Sequence, residues 1–255
     1  MTVGIERRND GQVLHLLLDA PKGNVLDLTM LNGLAAALQE HGHDPALKVI
    51  VFEGAGANFS FGASVAEHTW DHAPTMLLRF HGLFRTLAAL AVPTVAVVRG
   101  ACLGGGMELA SWCTWIFASP EASFGQPEIK LAVFPPMASL LLPWRLGGGR
   151  ALDLCLSGRS VTAAEAQALG LVNEVAADPA EAWRAHLEAH VLPRSATALH
   201  FAERAARLGL ARLLRDDLPA LERLNHDELM ATPDASEGIA AFLERRAPHF
   251  AEPRH

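Results

Sequence analysis

Two glutamates sit where charge is costly. Glu108 is the only charged residue between Cys102 and Ala118, and Glu128 stands between Pro127 and Ile129 in another mostly apolar stretch. Burying an ionised carboxylate is expensive, and burial raises its pKa. Either residue could be tied to an arginine for structural reasons, with Arg99 and Arg145 as candidates. Two such carboxylates, both beside glycine turns, point instead to acid/base work. Paired carboxyls with tuned pKa values are the usual apparatus for adding or removing water.

The glycines Gly104-Gly105-Gly106 follow a buried strand and open a helix. Glycine lets a ligand approach the backbone, and a helix start offers free N–H groups that can hold an anion or an oxyanion. A nucleotide loop is excluded on residues. Gly100 and Gly105 have the spacing of a phosphate-binding P-loop, but Gly106-Met107 stands where Lys-Ser/Thr is required, and Leu109 occupies the third position of G-x-G-x-x-G. A second loop, Phe59-Ser60-Phe61-Gly62-Ala63-Ser64, also follows a strand. It lacks the closing glycine of a nucleophile elbow, since Ala66 stands there.

Histidines recur at His41/His43, His68/His72 and His186/His190. No Cys₂His₂ or H-E-x-x-H pattern accompanies them, so no metal site is expected. His68 and His72 are placed to line a pocket near the Phe61 loop. Tyr is absent, which removes Tyr acid/base chemistry.

The elements that must position these residues read as α/β. Strands are predicted at Val3–Arg8 and Gln12–Leu18, joined by an Asn9-Asp10-Gly11 turn. A helix follows over Leu28–Gln39 with Asp27 as its N-cap. Lys48–Phe52 and Thr94–Val98 read as buried strands, with a Gly/Ala loop at Glu53–Ala63 and a helix at Pro74–Leu90 between them. A short apolar helix surrounds Glu108, and Thr114–Ala118 is a further strand. Val133–Arg145 is partly helical between prolines. Gly147-Gly148-Gly149 is a turn before a helix near Arg150. Thr162-Ala163-Ala164-Glu165 is a capping box for a helix ending at Gly170, and Leu171–Val175 is a strand. From Pro179 the pattern is helical, with Phe201, Ala205 and Leu208 on one apolar face. The division expected is an α/β core over 1–194 carrying the site and a helical region over 195–255.

The chain has 255 residues, 27.3 kDa, half of them hydrophobic. That is enough to bury a large core without disulfides or metal. A net charge of −7 with a pI near 5.9 argues against nucleic acid or an anionic membrane as partner. No apolar run escapes proline long enough to span a bilayer, and the start MTVGIERRND has no signal-peptide core. Cys102, Cys113 and Cys155 lie in apolar surroundings without a C-x-x-C, as reduced core residues of a cytoplasmic protein would.

Together these residues resemble the enoyl-CoA hydratase/isomerase, or crotonase, family over almost the whole chain. The resemblance rests on Ala20–Leu26 (APKGNVL), Phe59–Ser64, Pro93–Gly100, Leu103–Ala110, Phe124–Ile129 and Ser236–Arg246. It implies a spiral of ββα units with a C-terminal helical trimerisation region. It also implies trimers or hexamers, acyl-CoA thioester substrates, and no cofactor beyond the CoA of the substrate. By the family pattern the oxyanion-hole N–H groups fall on Ala63 and Gly105, the catalytic glutamates on Glu108 and Glu128, and a contact to the CoA nucleotide on Lys22. Phe61, Ser64, Val65, Gly104 and Phe134 complete the expected substrate-binding set. Having both glutamates favours hydration over other crotonase reactions.

Two departures narrow the expectation. Ser64 stands where the family usually has Asp, and Val133–Ala138 (VFPPMA) replaces a Gly-rich stretch. Both are similar to the cyclohexa-1,5-dienecarbonyl-CoA hydratases of anaerobic benzoyl-CoA degradation. The resemblance therefore implies water addition to an alicyclic dienoyl-CoA, with straight-chain 2-enoyl-CoA hydration in β-oxidation as the alternative.

Overall fold

The computed structural model describes residues 2–250, so residues 251–255 of the expected helical region lie outside the described residues. Strands β1 (Val3–Arg8) and β2 (Val13–Leu18) form an antiparallel hairpin. Asn9, Asp10 and Gly11 all take positive φ there, the backbone such a tight turn needs. Helix α1 (Leu28–His41) is capped by Asp27, whose carboxylate accepts the Met30 N–H at 2.8 Å. Strand β3 (Val49–Gly54), helix α2 (Ala73–Leu90) and strand β4 (Thr94–Val98) follow. Next come β5 (Ala101–Leu103), α3 (Gly105–Trp112), β6 (Trp115–Ala118) and β7 (Ser123–Gly125). Then α4 (Pro136–Leu146), α5 (Gly148–Ser157), β8 (Ser160–Thr162), α6 (Ala163–Leu169) and β9 (Glu174–Val175).

The main sheet runs β1-β2-β3-β4-β6-β9, parallel from β2 onward. Parallel strands are covered on both faces and so read as continuous apolar runs. Ile50, Phe52, Ala96 and Val98 turn toward α1 and α2, packing with Met30, Leu34 and Phe84. Val49, Val51, Val95 and Val97 turn the other way, onto α7 (Pro179–His186) and its π-helical continuation Leu187–Val191. The period of two in side-chain direction thus divides one apolar strand between two cores.

A smaller sheet, β5-β7-β8, has three residues per strand and no counterpart in the sequence reading. Its register pairs Leu103 with Gly125, which brings the Gly104 turn against the segment entering Glu128. A bridge from Ser60 to Cys102 ties the loop after β3 to the same place. Two chain crossings therefore meet beyond the carboxyl end of parallel strands, where such sheets place ligands.

The C-terminal helices are α8 (Ala196–Ala206), α9 (Leu208–Asp216), α10 (Leu218–Arg223) with a π-helical continuation Leu224–Leu229, and α11 (Pro233–Glu244). Several expectations change in detail. The strand expected at Leu171–Val175 is paired only at Glu174–Val175, because Leu171 and Val172 N–H groups return to the Ala166 carbonyl of α6. The capping box is half made: Thr162 Oγ1 accepts the Glu165 N–H, but the Glu165 carboxylate turns to Arg159 at 2.7 Å. Phe201 and Leu208 are exposed rather than packed inward. Cys102 and Cys113 are buried, Cys155 is half-buried, and none is in a disulfide. Among the described residues no helix is long and apolar enough to cross a membrane.

Candidate active site

The loop after β3 and the first turn of α3 bring two N–H groups together. Gly62 takes φ +94, and a Cβ there would stand 2.7 Å from the Leu103 carbonyl and 3.0 Å from the Gly105 nitrogen. Only glycine allows this approach. A Cβ on Gly105 would in turn lie 3.1 Å from the Ala63 nitrogen. Neither the Ala63 nor the Gly105 N–H finds an acceptor among the described residues. They are adjacent donors left open at a helix start.

Glu108 projects from α3 and is 4% exposed. It is held by the start of α4. That helix has Pro135 as N-cap and Pro136 as first residue, so two of its usual free donors are missing. The Ala138 N–H donates to Glu108 Oε1 at 2.6 Å, and the Met137 amide faces the same carboxyl. Burial drives the Glu108 pKa well above its ordinary value, the neighbouring Glu128 charge adds to this, and the two amides oppose it.

Glu128 lies on a 3₁₀ turn, Pro127–Leu131. Its Oε1 sits over Gly104, which has φ +50, and a Cβ at that position would collide with the carboxyl. Its Oε2 is buried without a hydrogen-bond partner among the described residues. Burial pushes this carboxyl up to about 7. The two glutamates titrate as a pair.

Neither glutamate has the arginine that would make it structural. Arg99 binds Glu53 and Asp178. Arg145 donates to the carbonyls of Ser111, Cys113 and Leu171. Two carboxyls with raised pKa values, no cation, and two open N–H groups can stabilise a carbonyl oxygen gaining charge while a proton moves at carbon.

Ala63, Gly105, Glu108, Glu128 and Phe134 line one small cavity of about 20 Å³, room for about one water. His68 joins them; its Nδ1–H donates to the Ser64 carbonyl at 2.8 Å, and burial lowers its pKa. The other expected residues stand outside the cavity wall. Phe61 is exposed and covers Gly23, beside the exposed Lys22, so this pair flanks the approach. Ser64 begins the turn that carries His68. Val65 packs with Ala73, Val133 and Ile239, and Gly104 acts from beneath Glu128. His72 meets Thr69 and not the cavity. His186 and His190 lie against each other near Trp115. Among the described residues no group of three or more His, Cys, Asp or Glu side chains could hold a metal.

Sequence reasoning missed two polar residues in this wall, His81 and Asn225, besides the apolar Met76, Leu77 and Phe80. Asn225 donates to the Phe134 carbonyl at 2.8 Å. His81 had a signal: it occupies the buried stripe of α2 that also carries Leu77, Phe80, Phe84 and Leu87.

Comparison with known proteins gives consistent findings. The model of the family described as Enoyl-CoA hydratase/isomerase matches residues 8–253. A Thauera aromatica protein named cyclohexa-1,5-dienecarbonyl-CoA hydratase is 44% identical over 98% of this chain and 96% of its own. A probable enoyl-CoA hydratase of Mycobacterium tuberculosis is 37% identical over 98% of this chain and 97% of its own. A crystal structure of an enoyl-CoA hydratase from Mycobacterium avium subsp. paratuberculosis superposes with a TM-score of 0.86 at 31% identity, covering 99% of both chains.

Proposed function

This chain belongs to the enoyl-CoA hydratase/isomerase family and has its crotonase-like spiral fold, and from that premise we propose that it adds water to cyclohexa-1,5-diene-1-carbonyl-CoA. The coarser activity, hydration of an unsaturated acyl-CoA, is common to the names of its relatives. The observation that carries it is the pair Glu108, which is buried, and Glu128, half-buried with its Oε2 inside, with no cation on either among the described residues and two open N–H groups beside them.

In this reading the thioester oxygen lies between the Ala63 and Gly105 N–H groups. As water attacks the conjugated system, electrons run toward that oxygen, and the two donors favour the charged state over the ground-state carbonyl. Glu108, its Oε1 fixed by the Ala138 amide of α4, orients the water and takes its proton. Glu128, whose Oε2 has no other partner among the described residues, delivers a proton to carbon. One water is consumed: its hydroxyl goes to one carbon and a proton to another. No cofactor is needed beyond the CoA of the substrate.

The ring substrate is supported by the 44% identity to the Thauera aromatica protein and by the stiff wall Phe134-Pro135-Pro136. In this reading the enzyme works in anaerobic benzoyl-CoA degradation, in the cytoplasm. Lys22 and Phe61 flank the route taken by the CoA nucleotide, with Ser64 and Val65 on the loop beneath it. The exposed apolar residues Leu152, Leu156, Phe201 and Leu208 support assembly into trimers or hexamers.

Incubation with cyclohexa-1,5-diene-1-carbonyl-CoA and, separately, crotonyl-CoA, followed by mass spectrometry, tests the reading. Fast addition of one water to the diene and little to crotonyl-CoA is expected. The opposite preference returns the protein to straight-chain 2-enoyl-CoA chemistry.

A further inference from the structure

The cavity that holds the two glutamates and His68 has a further ionisable side chain on α2. His81 is wholly buried, and its Nδ1 lies 2.7 Å from Glu222 Oε1, on α10. Arg85 donates to the same Glu222 oxygen at 3.1 Å. Burial alone would raise the Glu222 carboxyl, but the bonds from His81 and Arg85 bring it below its ordinary value, so it is ionised and accepts. An ionised Glu222 takes its hydrogen bond from Nδ1–H, and in that tautomer of the imidazole the lone pair stands on Nε2.

That Nε2 is buried and has no hydrogen-bond partner among the described residues. A buried polar atom left so is costly, and such atoms are normally satisfied by protein, water or ligand. His81 lines the cavity together with Glu108, Glu128, His68 and Asn225, and its own helix adds Met76, Leu77 and Phe80. An acceptor lone pair is not satisfied by a carboxylate. It requires an O–H or N–H donor, and the space has room for about one water.

We propose that His81, oriented by Glu222, is a specificity-determining residue whose Nε2 accepts a hydrogen bond from the hydroxyl of the hydrated acyl group, and before the reaction from the water that becomes it. The class of ligand singled out is a hydroxyacyl thioester, distinguished from the same thioester without the hydroxyl. The inference rests on the acyl-CoA reading of the site above. Asn225 shares the helical segment with Glu222 and fixes the Phe134 carbonyl, so the C-terminal helices set both this acceptor and the wall opposite.

The test is equilibrium binding in a Glu128→Gln background that silences turnover, with His81 kept or replaced. Two pairs of ligands are titrated: hydroxycyclohexenecarbonyl-CoA against cyclohexenecarbonyl-CoA, and 3-hydroxybutyryl-CoA against butyryl-CoA. With His81 present, the hydroxylated member of the pair that fits is preferred by about three- to tenfold, the span of one net hydrogen bond. His81→Leu abolishes the preference while leaving the hydroxyl-free ligand bound, and His81→Gln, which keeps an acceptor, retains part of it. Glu222→Gln lowers it too, because an amide partner lets the ring place its proton on Nε2. An unchanged preference in folded His81→Leu overturns the proposal; if that variant does not fold, an unchanged preference in Glu222→Gln does so. Binding of the straight-chain pair alone defeats the ring substrate and leaves His81 to be judged on that pair. Binding of neither pair defeats both readings.

Discussion

Glu53 and the pair Glu108/Glu128 are the same residue type in opposite settings. At the end of β3, Glu53 is held by His15 at 2.9 Å and Arg99 at 2.5 Å, and Arg99 reaches on to Asp178 at 3.0 Å. Burial would raise the Glu53 carboxyl, but the bonds from His15 and Arg99 bring it below its ordinary value. At the start of α3, burial has no cation to offset it, and both carboxyls are raised. A glutamate whose charge is answered belongs to the scaffold. One whose charge is left unanswered in a cavity is available for proton transfer.

The largest effect that separates the two settings is on rate. Glu108→Gln and Glu128→Gln are each expected to lower turnover by ~10² or more with acyl-CoA binding kept, whereas Glu53→Gln leaves it within about a factor of two. A steady-state assay on the three variants decides. Near-wild-type rates in either of the first two would break the contrast. Next, Gly104→Ala adds a methyl where the Glu128 carboxyl lies, at a φ that alanine resists. Displacing that group is expected to cost ~10-fold or more in turnover.

Smaller effects fall on stability. Glu53→Gln should destabilise by about 1–2 kcal/mol, after allowance for solvent near Arg99, and lower Tm by a few degrees. The smallest signal is its mirror in pH. A carboxyl raised in the folded state binds more protons there than in the unfolded chain between its ordinary 4.5 and about 7, so stability falls as pH rises through that window. Glu128→Gln removes this penalty. Its Tm should exceed the wild type at pH 8 and not at pH 5. For Glu53, lowered in the fold, stability is present above the ordinary pKa and lost as pH falls, so Glu53→Gln costs most at neutral pH and least under acid. Differential scanning at the two pH values checks both signs.

Much of this was legible in the sequence because apolar runs and glycines report on burial. Glu108 and Glu128 stand out against their neighbours, the parallel strands read as continuous apolar segments, and Gly62 and Gly104–Gly106 mark the turns beside them. The absence of an arginine partner was not legible, because Arg99 and Arg145 were both plausible until their bonds were seen. Three-residue strands such as β5, β7 and β8 have no period to read. The contact of His81 with Glu222 joins residues 141 apart and follows from packing of the last helices on α2. Val65, counted with the substrate set, packs beneath the loop because its branched side chain fills the space between α2 and α11. Phe201 and Leu208 show the reverse case: an apolar face that this chain alone does not cover.

The double proline at the start of α4 has a practical consequence. With no N–H on Pro135 or Pro136, and the Ser139 N–H already returned to the Pro135 carbonyl, only the Met137 and Ala138 amides face the Glu108 carboxyl. Their protons are a built-in spectroscopic gauge. In a nitrogen-15 correlation spectrum the two peaks would move as Glu108 gains or loses its proton, and would move again when a thioester enters. The protonation state of the interior can thus be followed from two backbone signals, with no substrate turned over.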